Sequence, residues 1–388
     1  MGKYFKVFTN KNPLTYAVGE EIIFTVFARE DGKNIDCGGV RWSLDGDDGS
    51  SLSGKAVINK NNPLTVSYTL KRAGFVHLYV TAVDEKDEVN KDFEPLDSSA
   101  GANICDIEYS DSLPDDFYDF WARVKKTVDE YPIKVVHYEE KTTNVPDGFM
   151  AYYVMIETPF GRPASGCVAM PIKEGKYPIE VSFLGYGVHA AGFHYKEGKI
   201  CGEFNAHGFE NDKCDSELEK IYCPELSWYG FNDEQNASPE NSYFKGMMIR
   251  NFIGLKYLKN LTCWNGRDII SVGGSQGALQ AITVAAQDSD VTEVVAFKPW
   301  LCDLKSIECG YLGGWRPNYA EGLRYYDTVA QGLNLKCPIT LECYLGDYCC
   351  PPKTVISLYN SIKSEKKIKF IQSARHSYFP PEDEVVEY

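Results

Sequence analysis

The chain has 388 residues, 44% hydrophobic and 24% charged, and its 55 acidic against 40 basic side chains give a formal charge of −15. That balance repels phosphate, which argues against nucleic acid and anionic membrane surfaces as partners and favours a neutral small-molecule substrate. The length allows two or three domains, and no apolar run reaches membrane-spanning length.

Residues 1–100 differ in kind from the rest. Runs such as Glu21–Phe27, Leu64–Leu70 and Phe75–Thr81 are rich in β-branched and aromatic residues. Turn signals at Asp31-Gly32, Asp45-Gly46 and Ala73-Gly74 separate them. Short strands at this spacing predict an immunoglobulin-like all-β sandwich domain. The mixed-polarity stretch from Glu94 to Ser112 reads as a linker, assigned to residues 101–112 ahead of a second domain at 113–388. Pro114-Asp115-Asp116 then opens an amphipathic helix through Trp121, with proline and acids in its first turn.

From about residue 133 the pattern predicts strands alternating with helices. Strands are expected at Phe149–Thr158, Gly166–Pro171, Pro178–Leu184, Ile269–Val272, Glu293–Phe297, Ile339–Leu345 and Lys367–Ile371. Helices are expected at Ser242–Leu261 and Pro352–Ile362. This order describes an α/β-hydrolase fold with a mostly parallel sheet. Within it, Ile269–Val272 enters Gly273-Gly274-Ser275-Gln276-Gly277, and an Ala/Leu-rich helical pattern follows. That is a G-x-S-x-G nucleophile elbow in its strand–turn–helix context. The turn lifts the Ser275 hydroxyl above the sheet, the flanking glycines leave room for the sharp backbone, and the amide of Gln276 points towards a substrate oxyanion.

A serine nucleophile needs a base and a group to orient that base. Of six histidines only His376 follows Ser275, just past the last predicted strand. His77 and His137 fall in strand-like segments, and His189, His194 and His207 share a long loop where solvation is the default. Two acids compete. Asp347 follows strand Ile339–Leu345 in a glycine-flanked turn and leads, while Asp303 follows strand Glu293–Phe297 and could instead cap a helix or line the pocket. Phe183-Leu184-Gly185-Tyr186-Gly187 could supply a second oxyanion donor through the Tyr186 amide, or could be a plain glycine turn. Thirteen scattered cysteines read as free thiols of a reducing compartment, although Cys201, Cys214 and Cys223, placed in a long polar loop, could pair in an exported protein. Neither paired C-x-x-C units nor H-E-x-x-H occurs, so no metal site or cofactor is expected. The N-terminus lacks a signal-peptide core, which reads as cytoplasmic, or as exported with its signal peptide absent from this sequence.

Several motifs in order make residues 111–380 resemble the acetyl xylan esterase / cephalosporin C deacetylase family. Pro114–Trp121 resembles its P-x-D-F-x-x-F-W helix, Phe183–Tyr186 its F-H-G-Y loop and Gly274–Gly277 its G-x-S-Q-G elbow. Pro299–Asp303 resembles P-F-L-C-D, and Asp347–Pro352 resembles D-x-x-C-P-P. The resemblance implies a serine esterase that removes acetyl groups from carbohydrate or related hydroxylated molecules. It assigns Ser275, Asp347 and His376 to the triad, settling the acid as Asp347, with Tyr186 and Gln276 as oxyanion donors. Trp300 is expected to contact substrate, and, with Tyr186, to restrict the acyl group to small ones. The resemblance also implies a homo-oligomer. Three departures stand out: Ala206–Asn211 replaces the family's R-G-Q motif, Leu184 replaces a histidine, and Ser377 rather than Glu follows His376. Two rival readings are a prolyl-oligopeptidase-type peptidase and a non-catalytic carbohydrate-binding protein on the hydrolase fold.

Overall fold

The structure is a computed structural model that describes residues 2–387. Its first hundred residues form two four-stranded antiparallel sheets. One has the order β1 (Tyr4–Thr9), β2 (Glu21–Glu30) and β3 (Lys33–Asn34), with β6 (Leu64–Thr69) pairing with β2; the other has the order β5 (Ser51–Ile58), β4 (Gly38–Gly46), β7 (Gly74–Val83), β8 (Leu96–Ala102). Strict alternation drives them together, because successive side chains of a strand point to opposite faces. Ile22, Phe24, Val26 and Ala28 of β2 and Val76, Leu78, Val80 and Ala82 of β7 all turn into one shared core.

Here the structure corrects the expected linker. Leu96–Ala102 is a full strand paired along β7, and Ile104–Asp106 is a short 3-10 helix. The segment does not cross open solvent: Ser98 and Ser99 are buried, and Ser98 Oγ donates to the Gln372 carbonyl at 2.9 Å. The two halves also share apolar packing, with Leu14, Phe75, Ile104 and Ile107 meeting Leu345, Val355, Ile356 and Phe370. Arg72 donates to the carbonyls of Cys309 (3.0 Å) and Gly310 (2.6 Å) across the same boundary.

After α1 (Phe117–Glu130) the chain builds one ten-stranded sheet. It starts as an antiparallel meander of β9 (Val135–Glu140), β10 (Phe149–Ile156) and β11 (Ala164–Pro171), where alternation with helices was expected. β12 (Tyr177–Phe183) and β13 (Ile200–Phe204) follow. The helices α2 (Asp215–Leu226), α3 (Asp233–Asn236) and α4 (Tyr243–Lys259) then precede β14 (Trp264–Gly274). The remainder runs α5 (Gln276–Gln287), β15 (Glu293–Phe297), α6 (Thr328–Gly332), β16 (Ile339–Tyr344), α7 (Pro352–Ser361), β17 (Lys366–Ile371) and β18 (Val385–Val386). The strand order is β18-β17-β16-β15-β14-β12-β13-β11-β10-β9. Pairing is parallel from β13 through β12, β14, β15 and β16 to β17, and antiparallel at both flanks, so the sheet is mixed. α4 and α5 are buried almost all round, as apolar helices inside a large core must be. The carboxyl ends of the parallel strands carry the loops where open α/β sheets bind ligands. No helix of the described residues is long and apolar enough to cross a membrane.

Candidate active site

β14 ends at Gly274 and α5 begins at Gln276, leaving Ser275 alone at the turn with φ 56° and ψ −123°. A non-glycine residue at positive φ is strained and persists only where surroundings enforce it. Those surroundings are visible. A Cβ at Gly273 would lie 2.1 Å from the Gly277 carbonyl oxygen, and one at Gly277 would lie 2.1 Å from the Phe183 carbonyl oxygen, so neither position accepts a side chain. Ser275 N–H donates to the Phe297 carbonyl at 2.9 Å, pinning the turn to the end of β15. The Ser275 side chain opens into a cleft of about 550 Å³ lined by Leu184, Tyr186, Lys298, Trp315, Cys349 and His376 among others.

Asp347 lies just past β16, His376 just past β17. One Asp347 oxygen meets His376 Nδ1 at 2.8 Å, and the other accepts the backbone N–H groups of Cys349 (2.9 Å) and Cys350 (3.0 Å). The carboxylate is buried and fixed at both oxygens, so the imidazole is held with Nδ1 inward and Nε2 left for the cleft. Lys298 Nζ donates to the His376 carbonyl and steadies the loop from the other side. Burial works against a charged ring, but the Asp347 carboxylate and the Cys349 side chain outweigh it and raise His376 to about 9. Cys349 moves the other way, to about 6, through its contact with Cys350 and then with His376.

The loop Leu184–Gly187 lies against the elbow. Gln280 Nε2 donates to the Leu184 carbonyl at 2.8 Å, and Tyr186 stacks on Tyr229 with ring centroids 4.3 Å apart. Tyr229 is the bridge: its hydroxyl accepts from Gly187 N–H (3.2 Å) and donates to Gln276 Oε1 (2.6 Å). His207 adds a second tie. Burial chiefly, with Arg250 and Arg162 nearby, lowers its pKa to about 4, so the ring is neutral. Its Nε2–H then donates to the Gly187 carbonyl at 2.9 Å while Nδ1 accepts from the Tyr243 hydroxyl at 2.7 Å. Gln276, first in its helix, has an N–H with no intrahelical acceptor. The structure thus brings Ser275, His376 and Tyr186 to one cleft, with Asp347 directly behind His376 and Gln276 buried beside Ser275 at the head of α5.

The structure corrects the expectations for Trp300, His207 and the loop cysteines. Trp300 does not reach the cleft: it is 1% exposed, packs between Phe244 and Trp315, and its indole N–H donates to the Trp315 carbonyl at 2.6 Å. Trp315 occupies the wall that Trp300 was expected to form. Asp303, the rival acid, is fully buried in an ion pair with Lys353 and accepts from Ser110 N–H and Oγ, both at 3.0 Å. His207 is a buried tie rather than a solvated loop residue, and Cys201 and Cys223 lie in β13 and α2 rather than in a polar loop. Tyr229 and His207 were missed as site residues. Tyr229 carries no sequence signal, whereas His207, set between Ala206 and Gly208-Phe209 where the R-G-Q motif was expected, could have been noticed.

The acetyl xylan esterase family profile matches residues 103–312 and 316–388. Acetyl esterase Axe7A of Xylanibacter ruminicola is 26% identical over 337 residues, covering 82% of this chain and 74% of that protein. Among solved structures, an acetyl xylan esterase from Paenibacillus sp. R4 superposes with a TM-score of 0.60 at 18% identity, over 71% of this chain and 94% of that one. Acetyl xylan esterase 1 from Thermoanaerobacterium sp. JW/SL YS485 gives 0.60 at 19%, over 72% and 93%. These two likenesses fix the α/β-hydrolase fold of the large sheet. Matched along nearly the whole of its second half and beyond, the chain belongs to the acetyl xylan esterase family and is a carboxylic ester hydrolase.

Proposed function

We propose that the protein removes acetyl or similarly small acyl groups from a hydroxylated small molecule or oligosaccharide, using Ser275, His376 and Asp347. One observation carries the reading: a serine on a strained elbow and an imidazole oriented by a buried carboxylate open into the same cleft. Ser275 Oγ attacks the ester carbonyl carbon while His376 Nε2 takes its proton. The amides of Gln276 and Tyr186 stabilise the oxyanion, worth about 10²–10³ in rate per donor in comparable sites. Collapse expels the alcohol, which takes the proton from His376, and leaves an acyl-Ser275. Water activated by His376 then releases the acid. Asp347 fixes the tautomer and stabilises the imidazolium.

The acetyl group is supported by the family and by the names of the relatives, and small size by the Tyr186 and Trp315 rings that wall the cleft. The two facing antiparallel sheets support reading residues 1–100 as an immunoglobulin-like domain, whose last strand runs on to Ala102. The family resemblance supports a homo-oligomer, and buried thiols such as Cys167, Cys302 and Cys343 support a reducing compartment. Hydrolysis of p-nitrophenyl esters from acetate to octanoate, with Ser275→Ala in parallel, tests the reading. A steep fall beyond acetate, abolished in the variant, is expected; rapid octanoate turnover overturns the small-acyl assignment.

A further inference from the structure

Asp347 does more than orient one imidazole. The oxygen that accepts the N–H groups of Cys349 and Cys350 fixes the backbone of two adjacent thiols, while its partner oxygen fixes His376. As a result Cys349 Sγ, Cys350 Sγ and a ring nitrogen of His376 all lie within 4.8 Å of one another. Zinc–sulfur bonds of about 2.3 Å and zinc–nitrogen bonds of about 2.0–2.1 Å place tetrahedral donors roughly 3.5–4 Å apart, so closing on an ion takes movements of about 1 Å. Two thiolates and an imidazole are the donors that soft and borderline dications prefer over the carboxylates of the surface. The second shell is also in place, because a metal-bound histidine characteristically gives its other ring N–H to a carboxylate. With Nδ1 turned to Asp347, Nε2 is the donor, and Cys349, half-buried on the cleft wall, gives the ion a way in.

We propose that Cys349, Cys350 and His376 form a reversible site for a thiophilic divalent cation of the zinc type, whose fourth position faces the cleft and whose binding silences the esterase. Binding forms two metal–sulfur bonds and one metal–nitrogen bond and releases two protons to solvent, one from the Cys350 thiol and one held between Cys349 and His376 Nε2, with no change of oxidation state. Silencing follows because the bound ion occupies the nitrogen that otherwise carries the proton from Ser275. That half of the inference rests on the proposed role of His376; the site itself does not.

Cadmium titration of the full chain tests both. The ultraviolet thiolate-to-cadmium band reports binding independently of activity, and p-nitrophenyl acetate hydrolysis is followed in the same samples. The expected result is one cation per chain in that band, reversal by a chelator, and a loss of hydrolysis of about tenfold or more. Cys349→Ser and Cys349→Ala, each compared with its own cation-free rate, should raise the half-inhibiting concentration by about tenfold or more, while Cys309→Ser, at an exposed thiol, should not. Cys349 variants as sensitive as the parent would overturn the site. A band that disappears in both variants without any loss of hydrolysis in the parent would support the site and overturn His376 as the base.

Discussion

Replacing Tyr229 by phenylalanine removes one hydroxyl and nothing else, yet that hydroxyl joins the oxyanion loop to the elbow helix. Its loss leaves Gly187 N–H and Gln276 Oε1 without the partners they have at 3.2 and 2.6 Å. Both lie in a region where Tyr229 is buried and Gln276 fully so, and each buried unpaired group costs about 1–3 kcal/mol. The expected destabilisation is therefore about 2–6 kcal/mol, read as a fall in the thermal midpoint. The catalytic effect has a ceiling of about 10²–10³, the loss of a whole oxyanion donor. Because His207 and Gln280 still hold the loop, through the Gly187 and Leu184 carbonyls, we expect kcat for p-nitrophenyl acetate to fall only about tenfold, with KM little changed. A variant with the lowered midpoint but the parent kcat would refute the reasoning, reducing Tyr229 to a packing residue.

Two further predictions follow from charges in the structure. A base must be neutral to accept a proton, and His376 is raised to about 9 against burial by Asp347 and Cys349. The acidic limb of the rate profile should therefore sit well above an ordinary histidine's, with activity still rising between pH 7 and 9. Cys349→Ala should move that limb down; a pH–rate profile that does not shift would contradict the assignment. Separately, Lys353→Met strands the fully buried Asp303 and should cost about 3–5 kcal/mol of stability in a thermal melt, while Asp303→Asn with Lys353→Met together should cost less. Equal losses would mean that the pair is not the source of the effect.

The parts of the site tied to local backbone chemistry were legible in the sequence. A β-branched run, two glycines around a serine and an Ala/Leu helix describe the elbow without tertiary information, and Ser275 stands there with positive φ. His376 stood alone in chain order, and the strands on either side of its acid were read within a residue or two. Positions decided by long-range contact were not legible. Leu96-Asp97-Ser98-Ser99-Ala100-Gly101-Ala102 looks like a linker because small and polar residues dominate it, yet burial against Gln372 and pairing with β7 make it a strand. Trp300 is interior because Phe244, Phe231 and Trp315 pack around its ring, contacts that local sequence does not encode. Tyr229 and His207 act through partners 20 to 47 residues away, a range at which periodicity carries no signal.

The central claim is that Ser275 is the nucleophile of this esterase. Its most direct test is to label the folded protein with a serine-reactive p-nitrophenyl phosphonate, follow loss of p-nitrophenyl acetate hydrolysis, and locate the adduct by peptide mass spectrometry. The account predicts one adduct per chain, on Ser275, forming in step with the loss of activity. An adduct on another residue such as Cys349, or full activity in a chain labelled at Ser275, would contradict it.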